Sequence, residues 1–202
     1  RMREHQHALV KLEVVLNDYM SIISDIQAAV RRLIGAGPRP DGSILLSWQT
    51  PSLLPKEASI SDGLLCVRVR RAYYGICVKT RKVNHDLNAM FDMTTWLQKG
   101  LLSEEISKEH FVPQIESLIK SATDLPKYLV VLNQNVIDLS ALVRLRLQRD
   151  NPKPLWKSWK LSRIIDPTEE EIEAEKLKVM TEIAIVAAKS VQELRRVGIV
   201  PL

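Results

Sequence analysis

Two runs of basic side chains have the most chemistry to offer in this sequence. Arg144, Arg146, Arg149, Lys153, Lys157, Lys160 and Arg163 stand against one acid, Asp150, with Trp156 and Trp159 interleaved. Guanidinium and ammonium groups neutralise phosphates and indole rings stack on bases, so this mixture fits nucleic acid or another anionic partner. The second run is Arg68, Arg70, Arg71, Lys79, Arg81 and Lys82, with no acid between Leu64 and Val83. On a helix, Arg68, Arg71, Lys79 and Lys82 share one side near Gly75. The competing reading of both runs is a solvated helix face, with the tryptophans pinning a linker to the body of the protein.

The other reactive residue types form no catalytic pattern. Gly35-Ala36-Gly37-Pro38 lacks the lysine of a phosphate-binding loop and reads as a helix stop. There is no Gly-x-Ser-x-Gly elbow. His5 and His7 are two residues apart, whereas helical metal pairs favour a spacing of four, and His85 and His110 are isolated. On a helix Cys66 and Cys77 lie about 16 Å apart, too far to bridge, whereas in a strand hairpin they could approach each other. The chain therefore reads as non-enzymatic, with no metal, cofactor or small-molecule substrate expected. Two cysteines make no disulfide framework, which suits a reducing intracellular compartment, nucleus or cytoplasm. No apolar run approaches the roughly 20 residues of a membrane span. The polar start, Arg1 to His7, is no signal peptide. It runs directly into a helix, as in a chain that is part of something longer.

The elements that position these residues are helical. Leu9, Leu12, Leu16, Tyr19, Ile23, Ile26, Val30 and Leu33 are spaced alternately by three and four, the heptad pattern of a helix that buries a narrow stripe. This predicts a first helix from Met2 to Ile34, with Val14, Val15, Met20 and Ile22 broadening the stripe. Residues 35–61, with four prolines, read as an irregular linker whose apolar patch is Ile44 to Trp48. A second helix is expected over Gly63–Gln98, capped near Ser61 or Asp62. Its rows are Leu65, Val69, Ala72, Ile76 and then Val83, Leu87, Met90, Thr94, Leu97, with a stutter before Val83. The alternation Leu65 to Arg70, with Tyr73, Tyr74 and Gly75, competes as a strand.

Ser103 reads as the cap of a third helix to about Ser121, which Pro113 should kink or split. Thr123-Asp124 reads as the cap of a fourth, Leu125 to Arg149. Residues 150–166 form a second linker, and a last helix over 167–197 opens with Asp166 as cap, Pro167 first and Glu169 third. Its apolar side is Ile172, Val179, Ile183, Val186, Val191 and Leu194.

The net charge of +5 divides unevenly: residues 164–202, with eight acids and five bases, carry −3, leaving +8 on residues 1–163. Taken together, the chain is expected to be one all-α domain over 1–202. Its architecture is a bundle of about five helices, three or four of them long, near-antiparallel, with coiled-coil-like heptad packing. The functional expectation is a non-catalytic structural or adaptor subunit that assembles with other protein subunits. The expected partner-binding stripe is Leu9, Leu12, Leu16, Tyr19, Ile23 and Ile26. Two alternatives are a nucleic-acid-binding module using residues 144–163 and a helical dimer on anionic membranes.

Overall fold

A computed structural model describes residues 2–36, 51–55, 65–103, 108–149 and 166–196. The chain is an all-helical bundle. Among the described residues there are four helices and no strand: α1 (Met2–Ala36), α2 (Val67–Leu102), α3 (Lys108–Arg149) and α4 (Glu169–Arg196). The contacts divide the chain into two compact units. Among the described residues one comprises 2–16, 65–70, 137–149 and 166–196, and the other 17–36, 51–55, 71–103 and 108–136.

In α1 all eight stripe residues from Leu9 to Leu33 are buried, none more than 1% exposed. Of the residues expected to broaden the stripe, Val15, Met20 and Ile22 are half-buried and Val14 faces solvent. α2 corrects the expected stutter. Its buried positions run Val69, Tyr73, Ile76, Thr80, Val83, Leu87, Met90, Thr94 and Leu97, alternating four and three throughout. Tyr73 is buried in place of the expected Ala72, and a threonine holds the position that looked vacant. The strand alternation is not used: Val67 is exposed and the segment is helical from Val67 onward. Ser103, expected to cap a helix over 104–121, is tied back to α2, and residues 104–107 lie outside the described residues. Its backbone N–H and its Oγ both donate to Lys99 O at 2.9 Å, closing the end of α2.

The two helices expected over 104–121 and 125–149 are one helix of 42 residues, continuous through Pro113 and Pro126. Each interior proline costs about 3 kcal/mol in a lost hydrogen bond and a clash. The buried row explains why the helix continues. Phe111, Ile115, Leu118, Ala122, Leu125, Leu129, Leu132, Val136, Leu139 and Val143 keep the four–three spacing across both prolines. Leu118, Leu125 and Leu129 alone are worth about 1.5–3 kcal/mol each in burial, more than a break at Thr123 would recover. Thr123 Oγ1 donates back to Ile119 O at 2.8 Å, and Asp124 pairs with Lys127 at 2.9 Å, so neither serves as a cap.

Within the second unit residues 51–55 are tied down as a short strap. The Asn84 carboxamide accepts from Leu54 N at 2.9 Å and donates to Leu54 O at 3.0 Å, satisfying both backbone groups of one residue. Leu54 is buried. Tyr19 OH donates to Pro55 O at 3.0 Å and lies 3.4 Å from Thr80 Oγ1. The polar Thr80 thus fits a core row because the tyrosine beside it carries a hydroxyl. The apolar patch Ile44–Trp48 and the caps expected at Ser61 and Asp62 lie outside the described residues.

Replacing Tyr19 by Phe keeps the ring and strands the Thr80 hydroxyl and the Pro55 carbonyl. It should lower unfolding stability by about 1–3 kcal/mol, read as a lower denaturant midpoint at constant slope. Asn84→Ala should speed amide exchange at Leu54. An unchanged midpoint together with unchanged exchange would mean that the strap is held by apolar contact alone.

Candidate functional site

The described members of the first basic run, Arg144, Arg146 and Arg149, turn inward. α4 is set along the end of α3 by a series of ion pairs, and the arginines expected to face an anionic partner supply them. Arg149 Nη2 lies 2.5 Å from Glu171 Oε1. Arg144 reaches two acids, Glu182 at 2.6 Å and Glu13 of α1 at 3.3 Å. Arg146 pairs with Asp166. Lys176 adds Asp138 at 3.0 Å and Glu173 at 2.6 Å, and both hold its ammonium above the usual lysine range, Glu173 the more strongly. α4 therefore runs back along α3: Glu171 sits by Arg149, and Lys176 by Asp138.

Arg146 explains this use of charge. It follows Val143 by three residues, occupies the next place in the buried row of α3, and is only 6% exposed. A buried guanidinium needs a partner, and Asp166 supplies it. Asp166 is consequently not the cap of α4. That role falls to Thr168, two residues on. Thr168 O accepts from Ile172 N at 3.1 Å, and Thr168 Oγ1 accepts from Glu171 N at 3.3 Å. Glu171 Oε2 accepts from Thr168 N at 2.7 Å in return. This is a reciprocal capping box on Thr168-x-x-Glu171. The Thr168 N–H, followed by Arg149, holds the Glu171 carboxyl below the usual glutamate range. The rest of the first run, Lys153, Trp156, Lys157, Trp159, Lys160 and Arg163, lies outside the described residues.

The second basic run is divided. Arg68 is tied to Glu169 at 2.7 Å. Lys82 lies 3.6 Å from Asp86 and sits over the Tyr128 ring at 4.5 Å from its centre. Arg71 and Lys79 are exposed and make no ion pair among the described residues. The apolar stripe assigned to partner binding, Leu9, Leu12, Leu16, Tyr19, Ile23 and Ile26, is buried within the chain. That stripe carries the fold and offers no surface to another molecule.

The exposed apolar surface lies elsewhere. α4 buries Ile172, Glu175 and Val179, and from Met180 to Lys189 every residue is exposed. Leu177, Met180, Ile183, Ile185 and Val186 are all on that surface. On α2 and α3, Val78, Tyr128, Val130 and Val131 are exposed as well. The periodicity of α4 marked Ile183 and Val186, but a period shows which residues share a face and not whether the chain covers it.

A cleft of about 500 Å³ beside the strap is lined by Tyr19, Cys77, Thr80, Asn84, His85 and Asn88, with Arg81. Cys77 and His85 stand eight residues apart on one helix, about 12 Å, beyond reach of a thiol–imidazole pair. Among the described residues no three His, Cys, Asp or Glu side chains converge as metal ligands, and no helix is long and apolar enough to cross a membrane.

Removing either side of the Arg146–Asp166 pair should have unequal effects. Asp166→Ala leaves a buried charge and should cost about 3–5 kcal/mol, whereas Arg146→Met fills a core position and should cost far less. Equal losses in denaturant unfolding would contradict this. Glu171 sets a pH dependence. A carboxyl depressed in the folded state stabilises above its unfolded pKa and loses that contribution as pH falls through the depressed value. The melting-temperature gap between the native chain and Glu171→Gln should be full at neutral pH and close in acid below the ordinary glutamate range. Comparison with protein-family models, curated proteins and solved structures finds no match for this chain.

Proposed function

We propose that this chain is a non-catalytic helical subunit that assembles with other protein subunits, and that the outer half of α4 is its assembly face. One observation carries the reading. α4 continues well past the buried Val179, every residue from Met180 to Lys189 is exposed, and this stretch includes Ile183-Ala184-Ile185-Val186-Ala187-Ala188, with no charge. At about 100° per residue, Leu177, Met180, Ile183, Ala184, Val186, Ala187 and Ala188 cover about 200° of the helix surface. A helix facing a single core needs an apolar stripe of only about 100°. An arc twice as wide fits a helix surrounded on two sides, as inside a bundle completed by another chain.

The charge pattern supports the same reading. Arg144, Arg146 and Arg149 are occupied by Glu13, Glu182, Asp166 and Glu171, so a phosphate backbone would have to compete with pairs already made.

The test is co-purification from the native source, with and without nuclease, of the chain and of an Ile183→Glu, Val186→Glu variant. The expected result is a nuclease-resistant complex of defined mass containing other proteins, lost in the variant although its circular dichroism is unchanged. A monomer that recovers no protein, or a complex indifferent to both substitutions, would overturn the assignment.

A further inference from the structure

We infer that the exposed surface shared by α2 and α3 in the second unit is a docking site for an acidic amphipathic helix of a partner protein; this rests on the reading of the chain as an assembly subunit. α2 and α3 form a hairpin there. Lys82 lies twenty residues before Leu102, Tyr128 lies twenty after Lys108, and the two are in contact. One turn back along α2 therefore stands level with one turn on along α3. Val78 and Lys79 come opposite Val131.

Each helix presents a line to this surface. On α2 the line is Arg71, Gly75, Val78 and Lys82, spaced four, three and four, with Lys79 on its flank. On α3 it is Tyr128 and Val131, spaced three. Val78 is 65% exposed and Val131 52%. Gly75 has open space where a side chain would stand, with nothing within 4 Å, so a partner can approach the backbone there. Axes of packed helices lie about 8–10 Å apart, and a third helix laid along the crevice touches both lines. From Arg71 to Lys82 is about 16 Å, or three turns of that helix.

Charge selects the occupant. Arg71 and Lys79 are exposed and make no ion pair among the described residues. The nearby acids are already engaged, Asp86 by Lys82 and Asp124 by Lys127. The surface thus has a basic edge beside an aliphatic centre. A helix with an apolar row at positions i, i+3 or i+4, and i+7 fills the centre, and acids beside that row meet the edge. Single-stranded nucleic acid fits less well. Val78 and Val131 offer neither a stacking face nor a hydrogen bond, and Tyr128 is covered by Lys82.

The probe is a labelled synthetic amphipathic peptide about three heptads long, with leucine at the a and d positions and glutamate beside them. It is titrated against the chain by fluorescence anisotropy. Its lysine-for-glutamate counterpart and a single-stranded oligouridylate are titrated in parallel. The acidic peptide should bind and the basic one should not. Arg71→Glu with Lys79→Glu should weaken binding about tenfold or more. Val78→Asp, which keeps those bases, should weaken it comparably, and circular dichroism should show both variants folded. Absence of binding, equal binding of both peptides, or binding indifferent to either variant would overturn the proposal. Oligouridylate binding lost on the same charge reversal would assign the face to nucleic acid instead. The Ile183→Glu, Val186→Glu variant should bind the peptide normally. Failure of the peptide alongside an intact α4-dependent complex would therefore remove this site and leave the assembly reading standing.

Discussion

Every long helix of this chain buries one row of side chains, and a polar group in that row must find its partner inside the protein. Burying a hydroxyl or a guanidinium without a hydrogen bond costs several times what a satisfied one contributes. Thr80 sits in the row of α2 and meets the Tyr19 hydroxyl. Thr94, in the same row, donates to Met90 O at 2.7 Å. Arg146 sits in the row of α3 and meets Asp166. Glu175, buried on α4, meets Lys178 at 2.9 Å. Two of the recruited neighbours organise the structure around them, whereas Ser140, fully buried on α3, has no hydrogen-bond partner for its hydroxyl among the described residues. Tyr19 holds the strap at Pro55, and Asp166 anchors the approach to α4.

The same constraint redirects the electrostatics. A run of seven bases against one acid looks like a surface for an anion. Its first three members instead pair with acids of the chain itself, Arg149 with Glu171 and Arg144 with Glu182 on α4, Arg146 with Asp166 just before it, and Arg144 also with Glu13 of α1. The net charge of −3 on residues 164–202 is thus complementary to the end of α3. The pairs of Arg144 and Arg149 are partly exposed, and such pairs are individually weak. Their value is register: together they set which turn of α4 lies beside which turn of α3. The second run behaves differently. Arg68 is used in the same way, whereas Arg71 and Lys79 stay on the surface beside exposed valines.

The helices were legible because burial imposes a period. Leu9 to Leu33 shows it without interruption, and all eight residues are buried. The readings that failed did so where one residue type masks the period. Thr80, being polar, made a continuous row look like a stutter. Pro113 suggested a kink or split and Thr123-Asp124 a new cap, since propensity weighs each residue alone while the buried row of α3 acts across its whole length. At the start of α4, Asp166 and Thr168 are both good caps by type. Only the demand of a buried Arg146 for a carboxylate decided that Asp166 would be used elsewhere.

By itself the sequence determined the helical class and which residues share a face on each helix. These follow from residue type and period, which are local. Only the tertiary structure decided which stripe was covered and which was left open. The row of α1 and the outer row of α4 carry the same kind of signal, yet Leu9 is fully buried and Val186 is 64% exposed. The physical reason is that periodicity records how a helix divides its surface, whereas exposure depends on what the rest of the chain brings against it. On α4 that leaves every residue from Met180 to Lys189 exposed, Val186 among them.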